Sequence, residues 1–156
     1  MTPAISAAMH ELERVADEHS DALLTRHDVD AALAVMAADP TVRHLPSAAG
    51  ASGREALYRF YAEDYLPHLP GDLARTRISR TVGRFRLVDE TLVRFRHDRP
   101  LPWLLPGIEP TYRWAEVTTI VITDFDRLRL RGQHIHWDHA TLLTQLGLVG
   151  HLPGVP

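Results

Sequence analysis

From Ile5 to Leu24 the apolar residues Ile5, Ala8, Met9, Leu12, Val15, Ala16, Leu23 and Leu24 recur at three- and four-residue spacing. That spacing lays one apolar stripe along a helix and predicts a long amphipathic helix over the segment. The pattern restarts after His27, where the Asp28 carboxylate can accept from the free amides that open a helix, so a second helix is predicted through Ala38, stopped by Pro40. A short strand, Thr41 to Leu45, is expected next. Ser47 to Gly53 is rich in small residues. Ser52 with Glu55 three places on suggests an N-cap for a third helix, whose apolar face is Leu57, Phe60 and Tyr61 and whose end is set by Pro67 and Pro70.

Beyond Pro70 the period shortens to two, with β-branched and aromatic residues through Ile78–Val82, Leu87–Phe95, Tyr112–Thr123 and Leu128–Trp137, which reads as a run of strands. Between them Arg99 to Pro110 holds too many prolines for a central strand yet carries Trp103, Leu104, Leu105 and Ile108. Apolar loops are usually packed, so this one is expected to cap the end of the core rather than to act as a mobile lid. Ala140–Leu148 reads as a terminal helix. Helices first and a meander of strands afterwards predicts an α+β fold, with helices on one face of a mostly antiparallel sheet that curls around a pocket.

Composition narrows the function more than the fold. The 156 residues suit one domain spanning 1–156, and a net charge of −3 gives no electrostatic reason to expect nucleic acid. The absence of cysteine removes disulfides, thiolate nucleophiles and cysteine-held zinc. No apolar run reaches the ~20 residues of a membrane span, and Glu11, Glu13 and Asp17 interrupt any signal-peptide core. A cytoplasmic protein with a small hydrophobic molecule as partner is expected, without nucleic acid or membrane.

The ionisable residues concentrate near the C-terminus. Alternation along Leu128–Trp137 puts His134, His136 and Asp138 on one face and Gln133, Ile135 and Trp137 on the other. On the preceding strand Tyr112, Trp114, Glu116 and Thr118 share a face, and Glu116 would approach the histidines if the two strands are neighbours. A carboxylate enclosed by apolar walls rises in pKa and can accept a proton from carbon or water, which makes Asp138 the first candidate for a general base. The plainer alternative is that Asp138 caps the terminal helix. His44, Tyr58, Tyr61, Tyr65, Trp103, Tyr112 and Trp114 are the candidate substrate-lining residues, although tyrosines at helical spacing are commonly core. His134-x-His136-x-Asp138-His139 also matches the H-x-H-x-D-H string of metallo-β-lactamase-type hydrolases. That fold needs a longer chain with further ligands downstream, so no metal is expected. Phosphate-binding glycine loops, G-x-S-x-G and H-E-x-x-H are all missing.

Three stretches together resemble the SnoaL-like branch of the NTF2-like superfamily: Leu24–Leu33 with Val42–Pro46, Pro110–Val117, and His134–Asp138 followed by Leu142–Gly147. The resemblance implies a cone of three N-terminal helices on a strongly curved sheet with an internal pocket, commonly as a homodimer. It implies acid–base enzymes without a cofactor, including polyketide cyclases, ketosteroid isomerases and limonene-type epoxide hydrolases. Asp138 stands where SnoaL-like cyclases carry the aspartate that removes a carbon-bound proton, with His134, His136 and Glu116 as its assistants. Two departures stand out: Tyr112 replaces the family's glycine, and the arginine-bridged aspartate pair of the epoxide hydrolases has no counterpart in the sequence pattern. The expectation is a cyclase or isomerase of a small oxygenated metabolite such as a polyketide, with an epoxide-opening hydrolase or a non-catalytic binding or scaffold protein as alternatives.

Overall fold

The computed structural model describes residues 2–150. Helix α1 runs over Pro3–Leu24 and opens on Thr2, whose hydroxyl accepts from the Ile5 amide, with Pro3 in the first turn where its missing N–H leaves nothing unpaired. Its buried side chains are Leu12, Val15, Ala16, His19, Ala22 and Leu23, the predicted stripe with one histidine set into it. Helix α2, Val29–Ala34, is capped by Asp28, which accepts from Ala31 N at 2.9 Å.

Here the structure departs from the predicted second helix. Strand β1 begins at Met36 and runs to Leu45, so Met36–Ala38 are extended and not helical. The cause is tertiary: β1 lies parallel to the far strand β6, Arg129–Trp137, and pairs Met36 with Leu130 before a register shift that ends at Thr41. Pro40 sits in that irregularity, where no ladder donor is missed, and its carbonyl accepts from Gly53 N at 2.8 Å. Ser52 is likewise not a cap. It ends the short strand β2, Gly50–Ser52, and accepts from the Thr41 hydroxyl, while Gly53 precedes helix α3, Arg54–Arg59. The chain continues from α3 through a π-helical stretch, Phe60–Tyr65, and a tight turn, Leu66–His68.

Strands β3 (Ala74–Val82), β4 (Arg86–Arg96) and β5 (Trp114–Asp126) complete a six-stranded sheet of order β2-β1-β6-β5-β4-β3, antiparallel except between β1 and β6. Helix α4, His139–Gln145, follows β6. The sheet is open and mixed, and with its helices it forms an α+β, NTF2-like cone. The proline-rich loop packs inward as expected: Leu101, Trp103, Leu104 and Leu105 are buried, and Ser47 Oγ donates to the Trp103 carbonyl at 2.7 Å. Among the described residues, no helix is long and apolar enough to cross a membrane.

Candidate active site

A cavity of about 360 Å³ lies between the inner face of the sheet, α1 and the π-helical stretch, a size typical of small-molecule sites. The exposed members of its lining, Asp17, Asp21, Thr25, Arg75 and Arg77, belong to α1, the residue after it, and β3. The mouth is therefore between those two elements. Trp103, Val42 and Ile135, all buried, form the apolar interior.

His44 projects from β1 among Tyr65, Trp103 and Phe60, with ring centroids 5.3, 5.2 and 6.1 Å away. Trp137 Nε1–H donates to His44 Nδ1 at 3.4 Å. An indole nitrogen can only donate, so Nδ1 must be bare and neutral His44 carries its proton on Nε2. No described residue accepts from Nε2. Burial lowers the His44 pKa to about 4, so at neutral pH the ring is an uncharged donor beside the cavity.

His19 enters from α1, also with its pKa lowered to about 4 by burial. Its Nε2 lies 3.3 Å from Tyr61 Oη. Burial, with Tyr65 adding to it, pushes the Tyr61 phenol above the ordinary tyrosine range, and burial pushes Tyr65 up to about 12 against the opposing charge of Arg75. Both phenols keep their protons and leave the imidazole as the basic member of the His19–Tyr61 pair. The rings of Tyr61 and Tyr65 are 6.1 Å apart, so His19, Tyr61, Tyr65 and His44 form one polar row along an otherwise aromatic wall.

Across the cavity Arg80 on β3 bridges two aspartates. Its Nε and Nη2 meet the Asp89 oxygens at 2.6 and 2.9 Å, and Nη2 also meets Asp17 at 2.8 Å. These contacts raise the Arg80 pKa. Burial pushes Asp17 up, but the guanidiniums of Arg80 and Arg77 outweigh it and hold the carboxyl below its usual range. An arginine thus bridges two aspartates in space, in a cluster assembled from α1, β3 and β4.

The residues expected to carry chemistry fall into two groups. His44, Tyr61, Tyr65 and Trp103 line the cavity. Asp138, His134, His136 and Glu116 are exposed and do not. The two predicted faces of β6 are real, but Gln133, Ile135 and Trp137 are the inward ones. Burying Ile135 and Trp137 is favourable, whereas enclosing two histidines and a carboxylate would incur desolvation. Asp138 caps α4, accepting from Thr141 N at 3.2 Å and Thr141 Oγ1 at 2.7 Å. β5 and β6 are neighbours, yet Ile122 and Ile120 stand opposite His134 and His136. Glu116 lies farther along, its backbone bonded at both ends by the Gln145 side chain. Tyr58, Tyr112 and Trp114 are 42%, 60% and 50% exposed and also stand outside. Trp114 instead lies under Arg94, whose guanidinium is 4.6 Å from its ring.

His19, Trp137, Arg75, Arg80, Asp17 and Asp89 are the cavity residues that the sequence reading missed. His19 had a usable signal, because it falls on the apolar stripe of α1. Asp89 had another, since it interrupts the inward series Leu87, Val93 and Phe95 of β4. Among the described residues no group of three or more His, Asp or Glu is arranged to hold a metal ion, and the His134 and His136 rings stand 6.5 Å apart at a steep angle.

No family model matches the chain, and no curated protein does. Solved structures do. A protein from Jannaschia sp. CCS1 described as a SnoaL-like polyketide cyclase aligns with a TM-score of 0.75 at 13% identity, over 94% of this chain and 95% of its own. An NTF2-like protein of unknown function from Burkholderia pseudomallei aligns at 0.66 and 16% identity, over 87% and 97%. The epoxide hydrolase/cyclase-like enzyme SalBIII, described in pyran ring formation in the polyether salinomycin, aligns at 0.62 and 9% identity, over 85% and 94%. The order of helices and strands, the open sheet with a cavity between it and α1, and these neighbours together give the chain the NTF2-like fold shared by SnoaL-like proteins.

Proposed function

We propose that this protein is a cofactor-independent acid–base enzyme, a cyclase or isomerase of a small hydrophobic, oxygenated metabolite, working in the cavity between α1 and the sheet. The observation that carries this reading is the hydrogen bond from Trp137 to His44 Nδ1, which fixes the His44 proton on the nitrogen left for a ligand. A neutral donor fixed in this way suits a carbonyl oxygen that becomes an enolate, because it gains interaction as charge develops and needs no reorganisation. His19 takes the proton from the adjacent carbon, and Tyr61 steadies the resulting imidazolium as a hydrogen-bond acceptor at 3.3 Å. The proton returns to a different carbon in an isomerisation. In a cyclisation the carbanion attacks a second carbonyl, whose oxygen then takes the proton. A base with a pKa near 4 is adequate where the developing oxyanion is held by placed donors, since the two effects together contribute several orders of magnitude.

Epoxide opening is the second reading, favoured by the Asp17–Arg80–Asp89 bridge and by the SalBIII likeness. Hydrolysis of that kind needs one carboxyl to hold a proton for the departing oxygen. Asp17 is held below its usual range, which places this reading behind the first.

The test uses 1-tetralone, a small uncharged ketone, and follows deuterium incorporation at its C2 by NMR in D₂O. The protein is expected to accelerate exchange over buffer, and His44→Phe to lower that acceleration on the order of 100-fold, the usual cost of losing one oxyanion donor. Exchange no faster than buffer would remove the support for an enolising site.

A further inference from the structure

Three arginines of β3 line the cavity, and their charges are not equally spoken for. Arg80 is matched by Asp89 and Asp17, and Arg77 by Asp17 at 3.2 Å. Arg75 lies near the mouth with a single hydrogen bond, from Nη1 to Ser20 Oγ at 3.0 Å, and has no carboxylate within ion-pair distance among the described residues. Asp89 is the acidic group that acts on it electrostatically, but both Asp89 oxygens already face Arg80. Arg75 is exposed to solvent at the mouth, so its charge faces whatever enters there. Tyr65, whose phenol keeps its proton, lines the same cavity and feels the Arg75 charge.

We infer that the cavity takes a hydrophobic acid, whose carboxylate pairs with Arg75 at the mouth and whose apolar body extends toward Val42 and Trp103. This rests on the cavity being the binding site, as the functional reading holds, and adds the substrate's charge. A guanidinium with free N–H donors matches a carboxylate in two-pronged geometry. An uncharged ligand end leaves the Arg75 charge to solvent at the mouth and gains no such pairing. Arg75 would thereby fix which end of the substrate enters first and so which carbon meets His19.

Calorimetric titration with 4-tert-butylbenzoate and with its uncharged counterpart 4-tert-butylbenzamide tests the inference directly. The acid is expected to bind about 2- to 5-fold tighter than the amide, the size of an ion pair at a solvent-facing mouth. Arg75→Met, which keeps the stem and removes the charge, should collapse that preference, while Arg75→Lys should restore part of it. Arg94→Met, on the outer face, should leave it intact and so exclude a general effect of protein charge. Equal affinity for acid and amide, an acid preference that survives Arg75→Met, or no binding of the acid would each overturn the inference. The 1-tetralone assay uses an uncharged ketone and decides the acid–base reading separately.

Discussion

At the scale of single residues the chemistry follows from which polar groups are enclosed and how each is paired. His44 and His19 are 3% and 2% exposed, and both are neutral at pH 7 because nothing nearby offsets an imidazolium well enough to repay its lost hydration. Asp138 is in the opposite situation, exposed and engaged with Thr141. Asp138→Ala should therefore reduce stability by ~1 kcal/mol, as loss of an N-cap does, and leave 1-tetralone exchange at the wild-type rate. Denaturant titration and the NMR assay measure the two effects, and a variant that folds normally but loses exchange would return Asp138 to the reaction. The alternation of β6 was legible in the sequence, and so was the cap role of Asp138 as an alternative. Which face turned inward was also decidable, because Ile135 and Trp137 gain more by burial than His134 and His136. Of the Asp17–Arg80–Asp89 bridge, Arg80 and Asp89 are cross-strand partners of one hairpin, but Asp17 joins them only through the packing of α1 on the sheet, which the sequence does not show.

At the scale of elements, β1 governs the site, since it carries His44 and is held on both edges. β6 fixes one side, pairing His44 with Ile135, and the β1–β2 hairpin fixes the other, where His44 N bonds Ala49 O at 2.7 Å. Gly50 makes that hairpin possible: its φ is +148°, and a Cβ there would fall 1.9 Å from the Val42 carbonyl oxygen. Gly50→Ala cannot be accommodated without moving the backbone of β1. A fall in melting temperature of about 10 °C is expected, given roughly 2–4 °C per kcal/mol for a chain of this size. A melting temperature within a degree or two of wild type would contradict the described geometry. The hairpin and the start of β1 were the elements least legible in the sequence. Met36–Ala38 carry helix-compatible residues, and only their parallel pairing with a strand some ninety residues away makes them extended. The long helix α1, the strands β3 to β6 and the packed proline-rich loop were visible because each carries its own period or composition.

For the whole molecule, besides buried His97, whose pKa burial also lowers, His19 and His44 tie stability to pH. Each has a folded pKa of about 4 against 6.5 when exposed, so between those values the unfolded chain binds protons that the folded one does not. Stability is full above pH 6.5 and falls as the pH drops toward 4, by about 2 kcal/mol per histidine between pH 7 and 5. Urea titrations at the two pH values should show this loss, and His19→Gln should remove its own share of it, about 2 kcal/mol. A midpoint independent of pH across the window would mean that the histidines are hydrated or charged in the folded state. The architecture as a whole, helices followed by a curled meander, was legible because amphipathic period and element order determine layers. The candidate site was less so, being made by single polar residues placed into apolar stripes on α1, β1 and β4.

The central claim is that proton transfer occurs inside the cavity with His19 as acceptor. The most direct measurement is the rate of C2 deuterium exchange in 1-tetralone at pH 7 with wild-type protein and with His19→Gln, each shown by circular dichroism to be folded. A loss of roughly 100-fold is expected in the variant, the size of a general-base contribution. Exchange in folded His19→Gln at the wild-type rate would contradict it.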